Sequence, residues 1–155
     1  MDDIGRKFIE GTKYKYFHES KQFKNFRQPQ LELIADSNKK KIELPNSKDM
    51  DISIKLNEAI ENRRSVRRYS DEPITLEELS FLLWCTQGVK KVSHGVTFRT
   101  VPSAGACHAF ETYILVNKVR GLSPGLYRYL ALEHKLEEVK ISAELPERLV
   151  DACLG

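Results

Sequence analysis

The chain has 155 residues, of which 41% are hydrophobic, and its 25 basic and 22 acidic side chains leave a net charge of +3. These values suit one soluble domain with a core of its own, and the small positive excess does not indicate a nucleic-acid-binding protein. No apolar run is long enough to cross a bilayer, and the first residues lack the apolar centre of a signal peptide, so we expect a cytoplasmic protein without a membrane partner.

The first fifty residues are basic and aromatic and lack a sustained helical or strand period. Aromatic residues alternate there with basic ones: Tyr14, Tyr16, Phe17, Phe23 and Phe26 lie among Lys13, Lys15, Lys21, Lys24 and Arg27. Such a segment is either a surface for single-stranded nucleic acid or an extended arm whose rings anchor it to its own fold or to a partner subunit. We favour an arm over residues 1–50, ending where residues 42–47 interrupt regular structure, with a domain over residues 51–155.

Two amphipathic helices are predicted next. Asp51 is a good N-cap for the first helix, which is predicted to end near residues 62–64. Its apolar face would consist of Ile52, Leu56, Ala59 and Ile60. Thr75 and Glu78 form a capping box for the second, leucine-rich helix, and Gly88 fits the C′ position that follows it.

Four arginines and a serine stand between these helices, in residues 63–68, which we call the arginine cluster: Arg63, Arg64, Ser65, Arg67 and Arg68. A guanidinium group matches two oxygens of a phosphate, and a serine hydroxyl adds a neutral donor. Because the macrodipole at a helix C-terminus disfavours anions, a phosphate here would be held by side chains. The alternative is a solvated helix end whose cations only offset the macrodipole.

Residues 101–108, the small-residue segment, follow a polar stretch at residues 89–100 that predicts a loop or mobile flap. Pro102 and the small residues after it predict a tight turn with exposed main-chain amides, against which a flat ligand can lie. The alternative interpretation is that these small residues allow two helices or two subunits to pack closely. His108 has no second histidine at metal spacing, so we predict no metal site. Three cysteines at unpaired spacing predict buried thiols: Cys85, Cys107 and Cys153.

The last third of the chain predicts strands and one helix. Residues 111–117 form the best strand in the sequence and are apolar enough to be central in a sheet. After a turn at residues 123–125, residues 126–130 and 136–139 are predicted to pair as a hairpin. A final helix begins near Pro146 at its N1 position. This order of elements predicts a mixed α and β domain with an antiparallel component to its sheet.

Three motifs occur in order: Arg63-Arg64-Ser65-Val66-Arg67-Arg68-Tyr69, Pro73-Ile74-Thr75 before a leucine-rich helix ending in Trp84-Cys85-Thr86-Gln87-Gly88, and Arg99-Thr100-Val101-Pro102-Ser103-Ala104-Gly105-Ala106. Together they resemble the nitroreductase family of FMN-dependent oxidoreductases. Further motifs are similar to the SagB-type dehydrogenase and thiazole/oxazole oxidase branch: Phe17-His18-Glu19, Glu111-Thr112-Tyr113 and residues 121–129. The resemblance runs from about Tyr14 to the last residue.

The resemblance implies a homodimeric α+β fold, with a largely antiparallel sheet flanked by helices and FMN at the subunit interface. It implies that the FMN phosphate and ribityl chain contact Arg63, Arg64, Ser65 and Arg67. It places Pro102, Ser103, Ala104 and Gly105 beside the flavin from the other subunit. NAD(P)H is the implied electron donor, and peptide azolines, nitro compounds or quinones are the implied substrates. We identify no catalytic acid or base.

Members of this family run well past the length of this chain, and their further portion carries sheet strands, an interface helix and flavin contacts. We therefore expect the chain to be the N-terminal portion of such a protein and to bind FMN weakly or not at all unless a second chain completes the site. The main hypothesis is an FMN-dependent oxidoreductase. The alternatives are a non-catalytic flavin-binding or scaffolding subunit of a peptide-modifying complex and, less favoured, a nucleic-acid-binding protein.

Overall fold

The computed structural model describes residues 3–18 and 29–153. The chain divides into two units, Met1–Gln30 and Leu31–Gly155. The first unit contains helix α1, Ile4–Gly11, which the sequence did not predict because two helical turns are too short to show a sustained period. Asp3 caps α1, since its side chain accepts a hydrogen bond from the main-chain N of Arg6 at 3.0 Å. The predicted aromatic positions 23 and 26 lie outside the described residues.

The described part of the second unit contains six strands and three α-helices, in an α+β arrangement. In chain order these elements are β1 (Lys41–Glu43), α2 (Leu56–Asn62), α3 (Leu76–Gln87), β2 (Val89–Ser93), β3 (Val96–Arg99), β4 (Thr112–Val116), β5 (Gly125–Leu130), β6 (Lys135–Ile141) and α4 (Leu145–Ala152). Strands β1, β6, β5 and β4 form one antiparallel sheet in that order, and β2 pairs with β3. The predicted fold class, the β5–β6 hairpin and the final helix are confirmed.

The main core lies between α3 and one face of the sheet. Tyr127 and Tyr129 of β5 are fully or almost fully buried there, and they belong to the same cluster as Leu79 and Leu83 of α3. The prediction that residues 111–117 are a central strand is wrong, because β4 is the edge of the four-stranded sheet. Apolar composition did not distinguish the two positions.

Two other sequence predictions are corrected near the start of the unit. Helix α2 begins at Leu56 rather than at Asp51, with Lys55 as an N-cap that makes no side-chain hydrogen bond. Its apolar residues Leu56 and Ile60 are 77% and 67% exposed, so no core in the described residues holds a longer helix. Residues 42–47 do not simply break regular structure, since Ile42 lies in β1 and pairs with Leu136.

The three cysteines are exposed, contrary to the predicted burial: Cys85, Cys107 and Cys153. Small or apolar neighbours in sequence did not indicate burial here, since Ala152 beside Cys153 is itself exposed. Among the helices that the structure describes, none is long and apolar enough to cross a membrane.

Helix α3 begins and ends as its local sequence requires. The capping box is confirmed: Glu78 N donates to Thr75 Oγ1 at 3.2 Å, and Thr75 N donates to Glu78 Oε2 at 2.7 Å. Gly88 does follow the helix, but its φ of −56° is open to any residue. Glycine is needed there for space, because a Cβ atom would lie 2.4 Å from Trp84 Cδ1.

Replacing Thr75 with alanine is expected to lower the free energy of unfolding by about 1 kcal/mol, because the amide of Glu78 loses its acceptor. Thr75→Ser keeps the hydroxyl and serves as the matched control, with a stability close to that of the unaltered chain. Urea denaturation followed by circular dichroism compares the variants. Equal stability of the alanine and serine variants would contradict the assigned role of the cap.

A chain of hydrogen bonds, which runs from buried Tyr129 through partly buried His134 to buried Ser80, joins α3 to the turn between β5 and β6. Tyr129 Oη lies 2.7 Å from His134 Nδ1, His134 Nε2 lies 2.8 Å from Ser80 Oγ, and Ser80 Oγ donates to Pro45 O at 2.5 Å. Because the Ser80 proton goes to the carbonyl, Ser80 Oγ accepts from His134 Nε2–H, and Nδ1 accepts from Tyr129. These bonds hold His134 at a strained φ of 55°. Burial raises the pKa of Tyr129 to about 12, so its hydroxyl keeps the proton it donates.

The other face of the sheet carries a buried ion pair. Arg128 of β5 stands opposite Glu137 of β6, with Nη2 and Oε2 3.1 Å apart and side chains 6% and 4% exposed. Both residues also bind residues 31–36, which we call the strap. Arg128 Nη2 donates to Ile34 O at 3.2 Å, and Glu137 Oε1 accepts from Asp36 N at 2.6 Å. The strap is thereby fixed across this face by polar contacts.

Candidate functional site

The arginine cluster lies at the C-terminal end of α2 and in the irregular stretch that follows. Arg63 is the C-cap, and its N donates to Ile60 O at 3.4 Å. All six residues of the cluster are exposed. Within residues 3–18 and 29–153, no side-chain hydrogen bond or ion pair engages the four guanidinium groups. Their donors are therefore available to an anion.

The electrostatics of this position favour capture by side chains. The negative end of the α2 dipole points at the cluster, and the amide donors of a helix N-terminus are absent there. The hydroxyl of Ser65 is exposed among the four cations and can donate to the same anion. The structure thus agrees with the predicted placement of the arginines after a helix.

Residues 89–100, predicted to be a loop or flap, instead contain the β2–β3 hairpin. The prediction is wrong because the turn was not recognised. His94 and Gly95 have φ values of 51° and 75°, which is the backbone that a two-residue hairpin turn requires. A glycine at the second turn position between β-branched residues was the signal that sequence reasoning missed.

The small-residue segment folds into a short, tightly turned loop. A single 3-10 turn spans Ala104–Ala106, with Gly105 at a φ of 61°. His108 N donates to Ser103 Oγ at 2.9 Å and closes the loop. A Cβ at Gly105 would meet only Cys107 Sγ, at 3.6 Å, so glycine is required by its φ and the surface above it is open. Pro102, Ala104 and Gly105 are exposed, and Ser103 is partly exposed.

The end of α3 anchors the base of this loop. Thr100 N donates to Gly88 O at 2.9 Å, and Thr100 Oγ1 donates to Trp84 O at 2.8 Å. Arg99 Nη1 donates to Gln87 Oε1 at 3.2 Å. Sequence reasoning did not single out Arg99 or Thr100 as site residues. Their position directly before Pro102 was the available signal.

His108 lies at the other end of the loop and is partly buried. Burial and, to a smaller extent, the positive charge of Arg99 lower the pKa of His108. The imidazole is therefore neutral at pH 7 and has one donor and one acceptor nitrogen. Among the described residues, no group of three or more histidine, cysteine, aspartate or glutamate side chains is arranged to hold a metal ion.

Within the described residues, the arginine cluster and the small-residue segment, the two predicted parts of the site, are not bonded to each other. No hydrogen bond or ion pair between described residues joins the arginine cluster to the small-residue segment. Each has unused donors: the guanidinium groups in the cluster, and in the segment the main-chain amides of residues 103–105, since those of residues 106–108 are bonded within the loop.

Residues 60–152 match the model of the Nitroreductase family. A curated protein of Methanocaldococcus jannaschii, named Putative nitroreductase, is 38% identical over 113 residues, which are 73% of this chain and 53% of that protein. The chain therefore spans about half the length of this curated relative.

Two crystal structures with the same designation are similar to this fold. The structure from Ralstonia eutropha is 27% identical, with a TM-score of 0.53 over 77% of this chain and 50% of its own. The structure from Anabaena variabilis is 23% identical, with a TM-score of 0.58 over 97% of this chain and 28% of its own. Both support the fold class predicted from the sequence.

Proposed function

The chain belongs to the nitroreductase family, and on this premise we propose that it provides the FMN-binding part of a flavin-dependent oxidoreductase. The observation that carries the proposal is the group of four exposed guanidinium groups without a protein partner among the described residues. The predicted phosphate-binding and ring-binding residues all lie within the matched residues 60–152. FMN is the flavin whose single terminal phosphate such a cluster suits.

The residues of the cluster fit a phosphate in number, charge and exposure. Arg63, Arg64 and Arg67 provide planar donor pairs, and their combined charge exceeds the roughly −2 charge of a phosphate monoester. Ser65 adds a hydroxyl donor. Because all of them are exposed and unpaired within the described chain, binding a phosphate breaks no existing interaction.

The small-residue segment fits the flat ring of the flavin. Pro102, Ser103, Ala104 and Gly105 present little side-chain bulk, and the positive φ of Gly105 turns its main chain toward an open surface. A ring can therefore approach the main-chain amides closely. This segment binds and orients the ring, while the anchors at Thr100 hold the segment in place.

When bound, FMN supplies the redox chemistry by accepting hydride from a donor such as NAD(P)H and passing it to a substrate. The protein residues identified here bind the phosphate, orient the ring and exclude water from one side of it. No described side chain is assigned as a general acid or base. We infer membership of the SagB-type branch from the motif at residues 121–129, with peptide azolines, nitro compounds or quinones as the substrate class.

We further propose that a second copy of the chain, or a second chain supplying the portion found in longer relatives, completes the site. Leu56 and Ile60 of α2 are largely exposed directly before the arginine cluster. Covering such apolar side chains is favourable by about 25 cal/mol per Å². A partner placed there would also enclose the phosphate site.

Titration of the purified chain with FMN and with riboflavin tests this proposal, since riboflavin has the same ring without the phosphate. We expect FMN to bind at least about a hundredfold more tightly, because charge-assisted hydrogen bonds contribute about 1.5–3 kcal/mol each. Flavin fluorescence quenching measures both affinities. Equal affinity for the two flavins would contradict a phosphate site at the cluster.

Anaerobic addition of NADPH to the FMN-loaded chain, followed by a nitro compound or quinone, separates an enzyme from a scaffold. An oxidoreductase bleaches the flavin absorption and recovers it with the acceptor. A non-catalytic flavin-binding subunit binds FMN and shows neither change.

A further inference from the structure

A buried cation without a close counter-ion lies at the base of the small-residue segment. Arg99, the last residue of β3, is 8% exposed. Its Nε donates to Thr97 Oγ1 and its Nη1 to Gln87 Oε1, each at 3.2 Å, and both acceptors are neutral. No carboxylate of the described residues lies within ion-pair distance of it.

Such an arrangement is costly, because burying an ion without a paired charge costs several kcal/mol. Glu32 is near enough for the charge of Arg99 to act on its carboxyl, but burial dominates and raises the pKa of Glu32. Glu32 Oε1 accepts hydrogen bonds from Ala131 N at 2.6 Å and Leu132 N at 3.4 Å instead of contacting the guanidinium. Because Glu32 does not pair with it, the guanidinium of Arg99 remains a buried positive charge without a neutralising partner among the described residues.

Two observations link Arg99 to the small-residue segment. Arg99 precedes Thr100, which ties the segment to α3. At the far end, the electrostatic effect of Arg99 extends to His108, whose N closes the loop onto Ser103. Residues 102–105 lie between these two points in the chain. A flavin ring that rests on them is therefore within the field of the buried guanidinium.

We propose that Arg99 is a positioning residue for the flavin, which joins the end of α3 to the strand that leads into residues 102–105 and raises the reduction potential of the bound ring. The inference rests on the proposed function. When NAD(P)H transfers hydride, two electrons and one proton move to the ring, NAD(P)⁺ is left, and the ring gains one negative charge. A nearby cation stabilises that charge, which favours the reduced state.

The test compares Arg99→Gln, which removes the charge, with Arg99→Lys, which keeps it, and with Arg120→Gln as a control. Arg120 is exposed and pairs with Glu72 at 3.8 Å, away from the small-residue segment in sequence. We expect Arg99→Gln to shift the reduced-to-oxidised ratio of bound FMN about tenfold toward the oxidised form, which is about 30 mV for a two-electron couple. The lysine and control variants keep the original potential.

A residue with a merely structural role would change FMN affinity and stability but not the potential of the flavin that remains bound. An unchanged potential in Arg99→Gln, with flavin still bound, therefore overturns this inference and leaves the proposed function standing. Failure of the unaltered chain to bind FMN, both alone and together with a chain that supplies the portion found in longer relatives, overturns the proposed function itself.

A second measurement uses the flavin-free chain. It tests the inference even if the Arg99→Gln variant does not bind FMN. Nuclear magnetic resonance titration of His108 in the flavin-free chain should give a higher pKa in Arg99→Gln than in Arg99→Lys or the unaltered chain. Equal values would show that the charge of Arg99 does not reach the segment and would overturn the inference.

Discussion

Replacing both Arg64 and Arg67 with glutamine is expected to weaken FMN binding by about two to four orders of magnitude and to leave the stability of the chain unchanged. Each guanidinium–phosphate contact contributes about 1.5–3 kcal/mol, and about 1.4 kcal/mol corresponds to a factor of ten in affinity. Stability is unaffected because both side chains are exposed and make no hydrogen bond or ion pair with another described residue. Fluorescence titration and urea denaturation give the two quantities.

Two controls make this result specific to the phosphate. Arg120→Gln removes an exposed cation outside the cluster and should not change affinity. Riboflavin, which has no phosphate, should bind the double variant as it binds the unaltered chain. Equal losses for FMN and riboflavin would mean that the arginines support the ring or the fold, and the phosphate assignment would be withdrawn.

Replacing Glu137 with glutamine is expected to lower the free energy of unfolding by about 3–5 kcal/mol, because it leaves the buried charge of Arg128 without its counter-ion. Glutamine has nearly the same shape as glutamate and still offers an oxygen to Asp36 N. The loss of stability therefore measures the effect of removing the negative charge. Arg128 is sensitive to this change, since its buried Nε has no hydrogen-bond partner among the described residues. Urea denaturation followed by tryptophan fluorescence measures the loss.

The double variant Arg128→Met with Glu137→Leu is the matched comparison. Replacing both ions with apolar side chains removes the uncompensated charge, so we expect a smaller loss than in Glu137→Gln. Some loss remains, because Ile34 O and Asp36 N in the strap lose their partners. A double variant less stable than the single one would contradict the role assigned to the ion pair.

The elements that sequence reasoning predicted correctly are those determined by neighbours in the chain. The capping box at Thr75 and Glu78 needs only residues three apart, and the proline near the start of α4 needs only its own geometry. The β5–β6 hairpin follows from two short strands joined by a turn. The arginine cluster was predicted at a helix end for the same reason, and the structure places it there.

The errors concern properties that distant residues decide. The edge position of β4 depends on which strands pair with it, and β1 forms a strand because β6 lies beside it. Helix α2 begins later than predicted because its apolar residues do not pack against a core within the described residues. Arg99 was overlooked since its burial arises from the packing of β3 against the end of α3. Whether the two predicted parts of the site share one flavin stays a prediction.

The hydrogen-bond chain through His134 has a consequence for local opening. Because Ser80 Oγ bonds both Pro45 O and His134 Nε2, and His134 Nδ1 bonds Tyr129 Oη, α3 cannot move away from the β5–β6 turn without breaking this chain of hydrogen bonds. Each buried polar group left unpaired costs about 1–3 kcal/mol. Helix α3 and this turn therefore open together as one cooperative unit, whose amides share the slow hydrogen exchange of the core.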